Sequence, residues 1–279
     1  MTGADDSGVS AFQASVPADD RGFLYGDSLF ETLLAIDGSF LFSDFHVDRL
    51  QAGITALRIT ADASDLLAEG ERALSTQKGA ATVRLTLSRG SGPRGYRPPE
   101  DQSPTVRVLE KPLTDNPFDP KAGLSLATAS TFMAQQPALA GIKHGNRLEQ
   151  VLASAEAAEQ GADDALVLAY DGAVQCTSSA NIFAVYGRHL KTPSCEGTGI
   201  RGTRQRLLKE RIAPALGLTV EECRLRPEDL ATADGAFVSN SLVGFRPIKS
   251  IDGKPLGRTT VFDDVFEAYV QEAHRCLVA

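Results

Sequence analysis

Apolar and polar positions alternate and then change period along the first third of the chain. Residues 30–36, Phe-Glu-Thr-Leu-Leu-Ala-Ile, form a β-rich run; Asp37-Gly38 is a hairpin turn signal, and residues 39–42 lead back. From Ser43 the spacing becomes helical, with Leu50, Ile54 and Leu57 on one face and Ser43 or Asp44 as the expected cap. A second helix is predicted over residues 65–74. Residues 81–87 alternate as a half-buried strand, and residues 105–109 read as another. The intervening stretch from Arg89 to Pro99 is too rich in glycine and proline for regular structure and reads as a mobile loop.

Residues 112–120 hold three prolines and three Asn/Asp residues in nine positions, which discourages both helix and central strand. Beyond them the pattern predicts a strand over 124–129 and a helix over 147–159 with Leu148, Val151, Leu152 and Ala155 inward. Two strands flank Asp171-Gly172, a helix covers 203–215, a strand 236–239 and a final helix 261–276. The economical reading is α+β with two domains. Residues 1–18 are expected to lack order, 19–112 to form a small N-terminal domain, 113–121 to link, and 122–279 to form a larger C-terminal domain.

Composition narrows the function class. The chain has 279 residues with 28 Lys+Arg and 36 Asp+Glu, so 28 − 36 gives a net charge of −8, which argues against a general nucleic-acid binder. No apolar run reaches the roughly 18 residues a membrane span needs, and the acidic start does not read as a signal peptide. A cytoplasmic protein acting on a small molecule is expected. The cysteines at 176, 195, 223 and 276 form no CxxC pair, and the four histidines have no metal-binding spacing, so no metal is expected.

Three segments exceed what packing requires. Lys143, in Gly141-Ile-Lys-His-Gly-Asn-Arg147, lies among small and apolar residues before a helix. A partly desolvated lysine loses its proton more readily and can form an imine with an aldehyde; the same lysine also reads as a surface residue at a helix start. The run Gly197-Thr-Gly-Ile-Arg-Gly202-Thr203-Arg204 is a glycine turn opening onto a helix, suited to a phosphate but common in other settings. Ser239-Asn-Ser241-Leu242 ends a strand in small polar residues that either bind a ligand or simply turn the chain.

Six segments in order resemble the fold-type IV enzymes of pyridoxal 5′-phosphate (PLP). They are residues 20–32, His46-Val-Asp-Arg49-Leu, 141–147, Asn181-Ile-Phe183, 192–202 and 239–244. The resemblance implies two domains facing each other across a cofactor cleft, and a homodimer. It implies Lys143 as the cofactor lysine and catalytic residue. Arg49, Gly202, Thr203, Arg204, Ser241 and Leu242 would form the phosphate site, and Phe30, Arg94, Tyr96 and Arg107 would be substrate residues, with Arg97 a weaker candidate. Within the group, residues 87–96, 139–150 and 163–168 look like aminodeoxychorismate lyase. That likeness implies release of pyruvate from 4-amino-4-deoxychorismate to give 4-aminobenzoate, a step of folate biosynthesis. A branched-chain or D-amino acid aminotransferase is the alternative.

One position departs from the pattern. The group places a glutamate four residues after the Asp-Gly glycine, where it keeps the pyridine nitrogen protonated; here that position is Cys176, and no acid occurs between Gly172 and Asn181. A thiol is a weak donor. Gln175 is adjacent, but strand alternation directs it to the other face. The substitution disfavours transamination more than the lyase reaction, whose aromatic product supplies driving force. It also leaves open a protein that keeps the fold with little or no turnover.

Overall fold

The computed structural model describes residues 15–74 and 76–278; the expectation for the N-terminus falls, for residues 1–14, outside these. The chain divides into two compact units, residues 1–116 with 143–146, and residues 117–142 with 147–279. The division thus lies between Asn116 and Pro117, and a four-residue piece of the later chain joins the first unit.

In the first unit, β1 (Ser28–Ile36), β2 (Ser39–Phe40), β3 (Ala80–Ser88) and β4 (Thr105–Pro112) make an antiparallel sheet in the order β2-β1-β3-β4. Helices α1 (Arg21–Tyr25), α2 (Ser43–Leu57) and α3 (Ala63–Ala73) complete it. Strand alternation sends Leu29, Leu33, Val83, Leu85 and Leu87 to one buried face. The helix α2 approaches that face at Gly53, where an added Cβ would stand 2.7 Å from Leu29 Cδ2.

The helix starts show where local chemistry yields to packing. The expected Ser43 or Asp44 cap of α2 is absent: its N-cap is Phe42, left-handed at φ 56° and without a side-chain cap bond. Phe42 is buried, so core packing fixes the entry of this helix. In α3, Asp62 accepts from Ser64 and Asp65 N–H at 2.9 and 3.1 Å, which starts the helix two residues before the predicted Asp65.

The second unit holds β5 (Leu124–Thr128), α4 (Leu148–Glu159), β6 (Asp164–Leu168), β7 (Val174–Thr177), β8 (Asn181–Tyr186) and β9 (His189–Pro193). Next, α5 (Thr203–Leu207) runs through a π-helical turn, Leu208–Ile212, into α6 (Ala213–Leu216). Then follow β10 (Thr219–Cys223), α7 (Pro227–Thr232), β11 (Gly235–Asn240), β12 (Gly244–Ile251), β13 (Lys254–Pro255) and α8 (Thr260–Val278). The sheet order is β10-β9-β8-β11-β12-β5-β6-β7, with β13 beside β12. The pairs β9–β10, β12–β5 and β5–β6 are parallel, so the sheet is mixed. One core stacks Phe183 on Phe237 at 5.0 Å, with Phe245, Phe262 and Tyr269 around them.

The inward face predicted for the helix at 147–159 is corrected by the structure. Ala153 and Ala157 are buried against Ala129, Met133, Ala165 and Val167, whereas Leu148, Val151 and Leu152 are 77%, 60% and 56% exposed and Ala155 is also outside. Alanines one turn apart let the helix lie close to the sheet, which leaves the larger side chains on the opposite face. Among the described residues no helix is long and apolar enough to cross a membrane.

Candidate functional site

The candidate residues divide between the units. In the first, Lys143 reaches β1 through backbone pairing: Phe30 N–H donates to Lys143 O at 2.9 Å and Gly145 N–H to Ser28 O at 2.8 Å. Because β2 pairs only with Ala35 and Ile36, the start of β1 has an edge open to this segment. A Cβ at Gly145 would fall 2.2 Å from Ser28 Oγ and 3.3 Å from Gly26 O, so glycine permits the approach without displacing the serine hydroxyl. Lys143 Nζ then lies 4.5 Å from the Phe30 ring centroid, and the Arg84 guanidinium lies 3.8 Å from the same centroid.

Register aligns further residues with Phe30. Phe30 pairs with Thr86 and Thr86 with Arg107; Thr32 pairs with Arg84 and Arg84 with Leu109; Thr82 pairs with Lys111. Period-two alternation therefore places Arg84, Arg107 and Lys111 on one face of β3 and β4, with no carboxylate among the strand residues that share it. Partial burial draws the Arg84 pKa below its ordinary value, and the guanidinium stays charged. Arg107 donates from Nη1 to Val106 O at 2.6 Å and from Nη2 to Ser15 O.

Glu31 points to the other face of β1. It is fully buried and receives Arg49 Nε at 2.8 Å on Oε1, Arg49 Nη2 at 2.5 Å on Oε2, and His46 Nδ1 at 2.7 Å. Burial alone would raise its pKa; the charge and hydrogen bonds of Arg49, then those of His46, overcome this and lower it to about 2. Arg94 and Tyr96 display exposed side chains from the loop between β3 and β4, with Tyr96 edge-on to Tyr25 at 5.3 Å.

The second unit gathers its candidates around Asn181. Asn181 Nδ2 donates to Ile200 O at 2.9 Å, and Gly202 sits so close that a Cβ there would lie 1.9 Å from Asn181 Oδ1. Thr203 and Arg204 open α5, and the buried Arg204 donates from Nη2 to Ser241 O at 3.1 Å. Leu242 and Val243 N–H both donate to Asn240 Oδ1 at 3.0 Å, forming the turn after β11. Ser239, paired with Asn181 across β11 and β8, has a buried Oγ with no hydrogen-bond partner among the described residues. An orphaned hydroxyl beside a glycine-opened helix start is a donor set that fits a phosphate, so the residues present suit a phosphorylated cofactor.

Cys176 lies on β7 opposite Val167 and packs against the alanine cluster under α4. Burial, followed by the proximity of Cys195 and Asp164, pushes its thiol up to about 12 against the opposing charge of Arg147. Gln175 takes the other face, donating from Nε2 to Ser194 O at 3.1 Å and Thr198 O at 3.4 Å. Sequence reasoning passed over Glu31 and Arg84. The signal for Glu31 was a carboxylate within an apolar strand run; for Arg84 it was a guanidinium in a half-buried alternation.

Residues 28–251 match the family model for amino-transferase class IV. The chain is 31% identical to aminodeoxychorismate lyase of Vibrio harveyi over 255 residues, 89% of this chain and 94% of that protein. It is 26% identical to D-alanine aminotransferase of Listeria monocytogenes over 274 residues, covering 96% and 94% of the two chains. Superposition on the crystal structure of 4-amino-4-deoxychorismate lyase from Pseudomonas aeruginosa gives a TM-score of 0.85 at 32% identity, covering 91% of this chain and 94% of that one.

Proposed function

The chain belongs to the class IV amino-transferase family, and from that premise we propose that it is a PLP-dependent lyase releasing pyruvate from 4-amino-4-deoxychorismate to leave 4-aminobenzoate. The observation that carries the reading is the placement of the Lys143 amine and the Arg84 guanidinium over one ring, Phe30. An amine and a group able to take a carboxylate thereby share one ring, on a sheet face that carries further cations.

When bound, the cofactor supplies a sink for the electrons left on the amine-bearing carbon. Lys143 would hold it covalently and, once displaced by the substrate amine, take the proton from that carbon and return a proton to the departing enolpyruvyl group. Arg49, with Thr203 and Arg204 N–H, would hold the phosphate, and Gly202, Ser241 and Leu242 would close around it. Arg84, Arg94, Tyr96 and Arg107 are the groups for the substrate's carboxylates, against Phe30.

Cys176 bears on the choice of reaction. A neutral thiol in place of a carboxylate supplies no charge to a pyridine nitrogen, so it weighs against transamination, which depends on a stabilised carbanion. The same residue supports, as a second reading, a family member with little turnover. A homodimer is part of the proposal, supported by the exposed apolar face of α4. The four cysteines form no disulfide, which suits a cytosolic setting.

The test is borohydride reduction after PLP addition, with peptide mapping, beside assays for pyruvate release and for amino transfer to 2-oxoglutarate. A label on Lys143 with pyruvate as product supports the lyase; amino transfer without pyruvate replaces it with an aminotransferase. A bound cofactor without turnover favours the second reading.

A further inference from the structure

The loop between β3 and β4, from Arg89 to Pro104, forms no helix or strand, yet it is held at its foot and at its tip. At its foot, Arg89 is 4% exposed and donates from Nη2 to Leu57 O at 2.7 Å and from Nη1 to Arg58 O at 2.9 Å, tying the loop to the end of α2. At its tip, Arg21 is 3% exposed and gathers three successive carbonyls, Gly95 O at 2.9 Å, Tyr96 O at 2.9 Å and Arg97 O at 3.5 Å. One carboxylate joins foot to tip: Asp27 Oδ2 accepts Arg21 Nε at 2.9 Å and Arg89 Nε at 2.7 Å, while Oδ1 accepts Arg89 Nη2 at 2.9 Å. The loop also packs on the Arg21 stem, where a Cβ at Gly92 would lie 3.2 Å from Arg21 Cδ.

Drawing the carbonyls of residues 95–97 inward toward one guanidinium leaves the neighbouring side chains outside. Tyr96 is 84% exposed, and Arg94 and Arg97 are exposed beside it. The sixteen residues 89–104, rich in glycine and proline, would otherwise sample many arrangements, and ordering them would detract from ligand affinity. We propose that Arg21, Asp27 and Arg89 form a preorganising clamp that holds the 89–104 loop in one conformation, presenting Arg94 and Tyr96 to an anionic ligand. Arg21 is thus a positioning residue. Its planar fork is what the geometry uses, since a lysine cannot reach one carboxylate and several carbonyls together.

The link from loop order to substrate affinity rests on the lyase reading; the loop order itself does not. The experiment compares the full-length wild-type holoprotein with Arg21→Lys and Arg21→Met by amide hydrogen exchange and by trypsin cleavage after Arg94. Both variants should lose protection at residues 91–97 by about tenfold or more, while the amides of β1 and β3 and the cofactor absorbance stay unchanged. In the pyruvate assay KM should rise about tenfold with kcat held within about twofold, because the clamp acts on loop order and not on the reacting atoms. Unchanged exchange and cleavage in both variants would overturn the clamp. Raised exchange with unchanged KM would overturn its role in presentation. If the wild type itself releases no pyruvate, the lyase reading fails and exchange alone decides the clamp.

Discussion

Glu31 and Arg49 meet as a forked ion pair in which each carboxylate oxygen takes one guanidinium nitrogen, at 2.8 and 2.5 Å, and His46 takes up the same carboxylate from a neighbouring turn of α2. The pair locks β1 to α2 from the inside and sets the direction of the arginine proposed for the phosphate. The carboxyl titrates at about 2 when folded, below its ordinary 4.5, because Arg49 and His46 outweigh burial. A carboxylate with a depressed pKa contributes stability above its unfolded value, and that contribution disappears as pH falls from about 4.5 toward about 2.

Glu31→Gln should therefore lower stability at pH 7 by on the order of 3 kcal/mol, since Arg49 is left without its carboxylate. It should also flatten the pH dependence below about 4.5. Urea unfolding of wild type and variant at pH 7 and at pH 3 measures both. An equal slope with pH in the two proteins would show that Glu31 is not the titrating group.

Lys143→Ala should abolish borohydride labelling and reduce pyruvate formation by at least about a thousandfold, the scale on which a positioned base and covalent anchor act together. The fold should persist, because the segment is held to β1 by backbone hydrogen bonds that the substitution leaves in place. Circular dichroism beside the assay separates the two effects.

Gly202→Ala would drive a methyl into Asn181 Oδ1, 1.9 Å from the new Cβ. The backbone there is extended, at φ −68° and ψ 139°, so the cost is steric and not conformational. A loss of about 1–3 kcal/mol in stability and a matching fall in PLP affinity are expected, read by thermal melts and cofactor titration.

With its thiol at about 12, Cys176 should resist alkylation at pH 8 in the folded protein and react only on unfolding. Cys176→Glu should move the pH dependence of the bound cofactor's absorbance. An unchanged spectrum and pH profile would remove the assignment of this position to the pyridine nitrogen.

Val151 and Leu152 stand 60% and 56% exposed on one face of α4. Replacing both with glutamate should leave the monomer folded and shift a dimer toward monomer in sedimentation velocity. A dimer unchanged by the double substitution would place the interface elsewhere.

Local rules made much of the fold legible. Period-two alternation marked residues 81–87 and β-rich composition the run from Phe30, and the structure extends each by only one or two residues. The α4 helix was legible as an element, but its inward face was not. A helix presents an alanine face and a leucine face from the same period, and which one packs depends on how near the sheet lies. The loop at 89–99 read as mobile from its glycines and prolines; nothing local announces that Arg21 binds the carbonyls of Gly95 and Tyr96, 74 and 75 positions later.

What the sequence by itself determined is many of the helices and strands, though not β8 to β10, α7 or β12, together with the α+β class and, through six short segments in order, the family. Those properties reside in backbone preferences and spacings a few residues long. Only the tertiary structure decided that Glu31 takes Arg49, that Arg84 and Lys143 share Phe30, and that Asp27 joins two arginines. Apart from Asp27 with Arg21, six positions apart, these are meetings of side chains distant along the chain, made when strand register and helix packing bring opposite charges or an amine and a ring within a few ångströms. Such a meeting is a property of the packed whole and leaves no periodic trace in any one stretch.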